Sequence, residues 1–248
     1  MRTTLLPAAV LLAALTGCAT VTHEDAMKLG HFERVAGRNP PNGVVLGAPH
    51  GTADTRTDAI TRDVARDLGL PAVIAHGFTR QDTGDRRLNV NRPTEGAGLA
   101  VSQEAWTARA NEVFQEYKRG LLDAAGGEID ILVEFHCTAD HLTGNAVNVG
   151  TRGLTAEQAR HLKEAYNRAL DAAAGRPNMR RVPMVIEPID PVPMGSGAAK
   201  KMGTPTLARI AMEIEMPISI TPLAVGDGPY RRVYGSFLRE AIAYLRPR

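Results

Sequence analysis

Continuous apolar runs that alternate with amphipathic stretches are the feature that most constrains the fold of this chain. The run VVLGA at residues 44–48 is typical of a strand that is buried on both faces. The next stretch, residues 58–68, carries its apolar side chains at the spacing of a helix. The run IDILVEFH, residues 129–136, is the most strand-like segment of all. This alternation predicts an α/β domain of three layers with a mostly parallel or mixed central sheet.

The first residues have the pattern of a secretory signal rather than of a folded element. Arg2 precedes the apolar run LLPAAVLLAAL, which is too short to span a bilayer. The run is followed by TGC, and LTGC at residues 15–18 resembles the lipobox of bacterial lipoproteins; the alternative is an ordinary signal peptide with a chance cysteine. We therefore expect a lipoprotein signal peptide over residues 1–17, a lipidated Cys18 with a tether up to residue 42, and one folded domain over residues 43–248. This arrangement predicts a lipid-anchored protein of the cell envelope, at the outer membrane or the periplasmic face.

The composition argues against a nucleic-acid-binding protein. The formal net charge is +2, acids and bases are mixed along the chain, and only 4% of the residues are aromatic. Neither a basic stripe nor a base-stacking surface is therefore indicated. Cys137 is the only cysteine besides Cys18, so we expect no disulfide within the mature domain. A chain of this length buries a core without a structural metal, which favours a functional role for any metal site.

Two histidines at predicted strand ends indicate such a site. His50 follows the first apolar run, and His136 ends the run IDILVEFH. Because ligands of open α/β sheets bind beyond the carboxyl ends of the strands, we expect both imidazoles at one edge of the sheet. Asp54, in the turn that leads into the helix, would complete a set of three ligands for Zn²⁺. Asp58 is the alternative third ligand, or instead a cap of the helix.

Two glutamates in the run MEIEMP are candidates for the base that a metal hydrolase needs. Glu213 and Glu215 are two residues apart in a predicted strand, so both point to one face. Either can take a proton from water and return it to a leaving nitrogen. Salt bridges to Arg80, Arg92 or Lys200 are the structural alternative. A guanidinium group also binds the carboxylate of a ligand through two hydrogen bonds, which makes both arginines candidate substrate-binding residues.

Five short motifs, taken in order, resemble those of the N-formylglutamate amidohydrolase family: APHGTAD, HGFTR, LNVNRP, EFH and MEIEMP. The turn after His50 also resembles that of the related poly-γ-glutamate hydrolases, and both groups share the α/β fold of zinc carboxypeptidases. The resemblance covers roughly residues 43–240, and LNVNRP is its most specific part. The sequence departs from the family pattern at three positions: Asn89 replaces a common aspartate, Cys137 replaces a serine or glycine, and Asp54 is shorter than glutamate.

The resemblance implies zinc-dependent hydrolysis of an amide bond in a carboxylate-bearing N-acyl amino acid or peptide. It assigns the metal to His50, Asp54 and His136, the acid–base role to Glu215, and substrate binding to Arg80, Asn91 and Arg92. The expected partners are this substrate and, through the lipid anchor, a membrane. Two alternatives stay open: a metallo-carboxypeptidase or γ-glutamyl hydrolase with the same site, and a lipid-anchored protein that binds anions without catalysis.

Overall fold

The computed structural model of the chain describes residues 26–38, 42–79, 86–96 and 99–246. The strands are β1 (Gly30–Val35), β2 (Val44–Ala48), β3 (Ala72–Gly77), β4 (Thr94–Glu95), β5 (Ala105–Trp106), β6 (Ile129–Thr138), β7 (Val147–Arg152), β8 (Met184–Ile186) and β9 (Ala208–Pro217). The helices are α1 (Thr57–Leu68), α2 (Ala108–Ala125), α3 (Ala156–Ala173), α4 (Ala199–Met202) and α5 (Pro229–Leu245). Three short 3₁₀ helices in the described ranges span Val101–Gln103, Thr204–Leu207 and Ile218–Leu223.

Seven of the described strands form one mixed sheet in the order β1-β3-β2-β6-β9-β7-β8. Strands β3, β2, β6 and β9 are parallel, whereas β1 pairs antiparallel with β3, and β7 antiparallel with β9. The predicted α/β class with a mixed central sheet is therefore confirmed. β2 is completely buried, as its continuous apolar run requires. The short strands β4 and β5 pair with each other apart from this sheet.

Helices cover both faces of the sheet and give the molecule its three layers. Side chains of α1, α3 and α5, such as Ile60, Leu162 and Phe237, share one buried cluster with the sheet. On the other face, Val113 and Tyr117 of α2 pack with strand residues in a second cluster. Within the described ranges, none of the helices combines the length and the apolar character that a membrane-spanning helix needs.

The segment that we predicted to be a tether contributes a strand to the sheet. β1 lies inside residues 18–42, pairs with β3 from Gly30 to Val35, and is preceded by the fully buried Ala26. The described fold therefore extends to the N-terminal side of the predicted boundary at residue 43. An edge strand is half exposed, so its polar sequence GHFERV lacks the apolar run that marks a buried strand. The predicted signal peptide and Cys18 lie outside the described residues.

The register of β6 and β9 brings polar side chains together in the middle of the sheet. Glu134 lies opposite Glu213, and His136 lies opposite Glu215. These four side chains project from the face that α2 covers, because they follow the alternation of Leu132, a member of the α2-side cluster. Buried charges of this kind are stable only with partners nearby.

Candidate metal centre

Two imidazoles and one carboxylate converge at the carboxyl ends of β2 and β6. The Nδ1 atom of His50 lies 3.3 Å from Oδ2 of Asp54, and the Nδ1 atom of His136 lies 3.5 Å from the same oxygen. The two imidazole rings meet edge to face, with their centroids 5.2 Å apart. All three residues are largely buried. They form one of two groups in the described chain with the side-chain chemistry and spacing of a metal site.

The turn between β2 and α1 places Asp54 against both histidines. The Asp54 N–H donates to the carbonyl oxygen of His50 at 2.7 Å, and Thr57 Oγ1 donates to the carbonyl oxygen of Asp54 at 3.1 Å. Gly51 is required in this turn, since a Cβ there would lie 2.6 Å from the carbonyl oxygen of Ala75. Asp58 faces Arg62 at 3.7 Å instead. The structure thus brings Asp54, rather than Asp58, to the histidines.

The two nitrogen–oxygen separations, from each imidazole to Asp54, are those expected of ligands around a tetrahedral zinc ion. Zinc–nitrogen and zinc–oxygen bonds of about 2.0–2.1 Å place neighbouring ligand atoms about 3.3–3.4 Å apart in a tetrahedron. The observed separations of 3.3 and 3.5 Å match that edge. The Nε2 atom of His50 lies 2.7 Å from the carbonyl oxygen of Asn89, which only accepts, so Nε2 carries the proton and Nδ1 keeps its lone pair for a metal.

Burial and mutual contacts shift the pKa values of all three residues. Burial lowers the pKa of His50 to about 4, and the positive charge of Arg87 acts in the same direction. The Asp54 pKa lies well below its usual range, because His50 and His136 together outweigh the opposing effect of burial. The pKa of His136 is raised to about 9: burial acts against this, but the Asp54 carboxylate and Glu215 stabilise the imidazolium. A metal ion bound here near neutral pH would have to displace the proton of His136.

The two candidate bases have different surroundings. Glu215 is 8% exposed and lines a cavity of about 670 Å³ that opens over His50 and His136. Burial raises the pKa of Glu215 to about 7, with His136 opposing the shift. Glu213 is 2% exposed, accepts a hydrogen bond from Asn91 Nδ2 at 3.3 Å, and lies 3.9 Å from Nε2 of His136. Glu215 is therefore the carboxylate that lines the cavity, whereas Glu213 lies below the cavity surface, bonded to Asn91.

A third glutamate is completely buried beside this pair. The carboxylate of Glu134 accepts hydrogen bonds from Tyr117 at 3.0 Å and from Thr204 at 2.7 Å. Its pKa is raised to about 7, first by burial and then by the negative charge of Glu213. Gly47 makes room for this contact, because a Cβ there would lie 2.4 Å from the Tyr117 hydroxyl. Glu134, His136 and Glu213 form the second metal-compatible group, which shares His136 with the first.

Of the two arginines predicted to bind substrate, the structure describes only Arg92. Arg80 lies outside the described residues. Arg92 lines the cavity, but its guanidinium group donates to both carboxylate oxygens of Glu104 and to Asn91 Oδ1. Sequence reasoning missed Glu104 and Arg87, whose Nη1 lies 3.6 Å from Oδ1 of Asp54. Arg87 and Glu104 lie outside the helices and strands, so no periodic pattern in the sequence marks their contacts.

The sequence matches no protein-family model and no curated protein. The described fold is similar to the crystal structure of N-formylglutamate amidohydrolase from Ralstonia eutropha, with a TM-score of 0.53 and 16% identity over 87% of this chain and 98% of that one. The α/β fold that the family resemblance implied is therefore confirmed. Weaker similarities are to a gene product of Agrobacterium tumefaciens (TM-score 0.49, 14% identity, 91% of this chain and 97% of that one) and to a bacteriophage poly-γ-glutamate hydrolase (TM-score 0.42, 12% identity, 86% and 88%). At these identities the comparison concerns the fold alone.

Proposed function

We propose that this chain is a zinc-dependent amidohydrolase that cleaves an amide bond in a carboxylate-bearing N-acyl amino acid or peptide. One observation carries the proposal: His50 and His136 present their Nδ1 atoms to one oxygen of Asp54, at the spacing of zinc ligands, in a cavity that Glu215 also lines. Three protein ligands with an open position are typical of catalytic rather than structural zinc. The fold shared with an amide-hydrolysing enzyme supports the same reaction class.

Different residues of the cavity would carry out the separate steps of amide hydrolysis. A zinc ion held by His50, Asp54 and His136 would supply Lewis acidity to a carbonyl group and to water. Glu215 accepts the proton of the attacking water and then delivers it to the departing nitrogen. A pKa raised to about 7 suits both steps, since the carboxyl group is then half protonated near neutral pH. The carbonyl oxygen of Asn89 holds the His50 imidazole in place through a hydrogen bond to Nε2.

A single substitution tests the role of Glu215. Glu215→Gln keeps the size of the side chain and removes the base, so hydrolysis is expected to fall by about 10²- to 10⁴-fold. The assay is release of free amine from a panel of N-acyl amino acids and dipeptides, with zinc content measured in parallel. Glu164→Gln is the matched control, because Glu164 is 67% exposed on α3. Glu215→Gln with the rate and zinc content of wild type would refute the assignment.

The membrane anchor is a separate proposal, which rests on the sequence alone. Lipidation of Cys18 would tether the domain to the outer membrane or to the periplasmic face of the envelope, and its substrate would then be a small molecule or peptide of that compartment. Metabolic labelling with a palmitate analogue tests it in bacteria that express the full chain. Wild type is expected to carry label and Cys18→Ser to carry none; equal labelling of both would refute it.

A further inference from the structure

The large apolar side chains that stay exposed in the described chain are distributed unevenly over its surface. Five of the seven lie at the carboxyl edge of the sheet, the edge at which β3, β2, β6 and β9 end and the cavity opens: Leu99, Val101, Trp106, Leu142 and Ile218. Single exposed apolar residues are ordinary, but their concentration at one edge indicates an interaction surface.

The connections between the strands place these five residues at the carboxyl edge. The first three precede α2, which leads back from the carboxyl end of β3 to the start of β6, and Val101 lines the cavity itself. The other two follow the carboxyl ends of β6 and β9. Their loops are joined by a hydrogen bond from the Ser219 N–H to Oδ1 of Asp140 at 3.0 Å.

Trp106 is the most exposed of these side chains, at 63%. It lies in β5 opposite Thr94 of β4, and the Thr94 hydroxyl donates to the Glu104 carboxylate at 2.8 Å. Regular pairing therefore holds the indole in solvent. Tryptophan is enriched at the boundary between membrane and water, because its ring is apolar while its N–H can stay hydrated.

The first described residue lies at the same edge. β1 runs in the same direction as α2, since Phe32 stacks on Tyr117 with ring centroids 5.6 Å apart. Further along both elements, Nη1 of Arg34 lies 3.2 Å from Oδ2 of Asp123. Ala26 precedes β1 and therefore lies near the start of α2, and it shares a buried cluster with residues of the first turns of that helix.

The length of chain before Ala26 limits which side of the domain can approach a membrane. Ala26 follows Cys18 by eight residues, which span at most about 29 Å at full extension. A compact domain of about 220 residues is roughly 44 Å across. A lipid on Cys18 would therefore hold the carboxyl edge near the membrane, rather than the opposite edge, where Tyr244 lies at the end of α5.

We infer that the carboxyl edge is a docking surface for a lipid bilayer, with Leu99, Val101 and Trp106 inserted at its boundary; the inference rests on the proposed anchor at Cys18. A few apolar side chains bind a membrane weakly by themselves. An anchor raises the local concentration of bilayer and makes such a contact persistent. The cavity would then open towards the bilayer, and substrate would enter from the membrane surface.

The fluorescence of Trp106 tests this directly, because the chain has a single tryptophan. The full chain is isolated from bacterial membranes and reconstituted into vesicles of phosphatidylethanolamine and phosphatidylglycerol, with or without bromine on the acyl chains. We expect the emission of Trp106 to shift to shorter wavelength, to lose intensity in the brominated vesicles, and to be protected from acrylamide in the water.

The matched control moves the tryptophan to the opposite edge, through Trp106→Phe together with Tyr244→Trp, since Tyr244 is 38% exposed. The introduced tryptophan should be quenched by acrylamide and unaffected by bromine. Equal bromine quenching of both tryptophans, or none of Trp106, would overturn the inference. Protection of Trp106 from acrylamide without bromine quenching would also overturn it and would indicate a protein partner.

The outcomes also separate this inference from the proposals on which it builds. A chain that carries the lipid label but leaves Trp106 unquenched by bromine would retain the anchor and lose the docking surface. A chain without lipid would overturn both. Neither measurement depends on catalysis, so the proposed hydrolase activity is tested separately.

Discussion

The buried pair of Arg92 and Glu104 gives a sharp prediction about stability. The Glu104 side chain is 3% exposed and the Arg92 side chain 14%. Glu104 also accepts a hydrogen bond from Thr94 at 2.8 Å, and Thr94 in turn accepts one from Asn89 at 2.7 Å. Arg92→Ala would leave a carboxylate buried without its counter-ion. Such losses cost about 3–5 kcal/mol for fully buried pairs, and the partial exposure of Arg92 suggests roughly 2–4 kcal/mol here.

The pH dependence of that loss identifies its cause. In wild type, burial acts to raise the pKa of Glu104, but the hydrogen bonds and the charge of Arg92 outweigh this effect and lower the pKa. This contribution to stability is present above the unfolded pKa and is lost as pH falls through the lower folded pKa. Without Arg92 the burial effect remains, and the folded pKa rises above the unfolded value. The deficit of Arg92→Ala should therefore be larger at pH 8 than at pH 5.

Urea unfolding at both pH values measures the free energy of unfolding of each variant. The double variant Arg92→Met with Glu104→Leu serves as the control, because it removes both charges and should recover most of the stability. A loss below about 1 kcal/mol in Arg92→Ala, within the range of an exposed ion pair, would contradict the reasoning. A loss that is equal at pH 5 and pH 8 would contradict it as well.

Three further outcomes are expected. Gly47→Ala should lower the free energy of unfolding by about 1–3 kcal/mol in urea titrations, because its Cβ would meet the Tyr117 hydroxyl; an unchanged midpoint would contradict the packing. The pKa of Glu33 is lowered to about 2, chiefly by Arg62, so Glu33 should stabilise the fold above its unfolded pKa and lose that effect as pH falls towards 2. In Glu33→Gln the free energy of unfolding should therefore fall less steeply between pH 5 and pH 2 than in wild type; an equally steep fall would contradict this. Burial raises the pKa of Cys137 to about 12, so its thiol should react with iodoacetamide at pH 8 only after unfolding; rapid labelling of Cys137 in the folded protein, located by peptide mass spectrometry, would be inconsistent with this.

The parts of the site that could be predicted from the sequence are those that periodicity and strand ends mark. His50 and His136 end apolar runs, and the alternation of β9 puts Glu213 and Glu215 on one face. Parallel strands then carry these residues to the same edge of the sheet. The choice of Asp54 over Asp58 needed the turn geometry, which the sequence suggested but left open.

The parts that escaped prediction depend on contacts between irregular segments. Glu104 meets Arg92 because β4 and β5 pair and bring two loops together. No spacing rule marks such a pair, which occupies the guanidinium group that the family resemblance assigned to substrate binding. β1 escaped because an edge strand with alternating polar residues has the composition of a tether.

The zinc content of the full chain tests the central claim most directly. It would be measured by elemental analysis for wild type, His136→Ala and His161→Ala, each equilibrated with zinc and then dialysed. His161 is a matched control, because it stacks on Tyr244 near Glu240, away from the cavity. The account predicts about one zinc per chain in wild type and His161→Ala, and loss of the metal in His136→Ala. Wild type without bound zinc, or His136→Ala with the full amount, would contradict it.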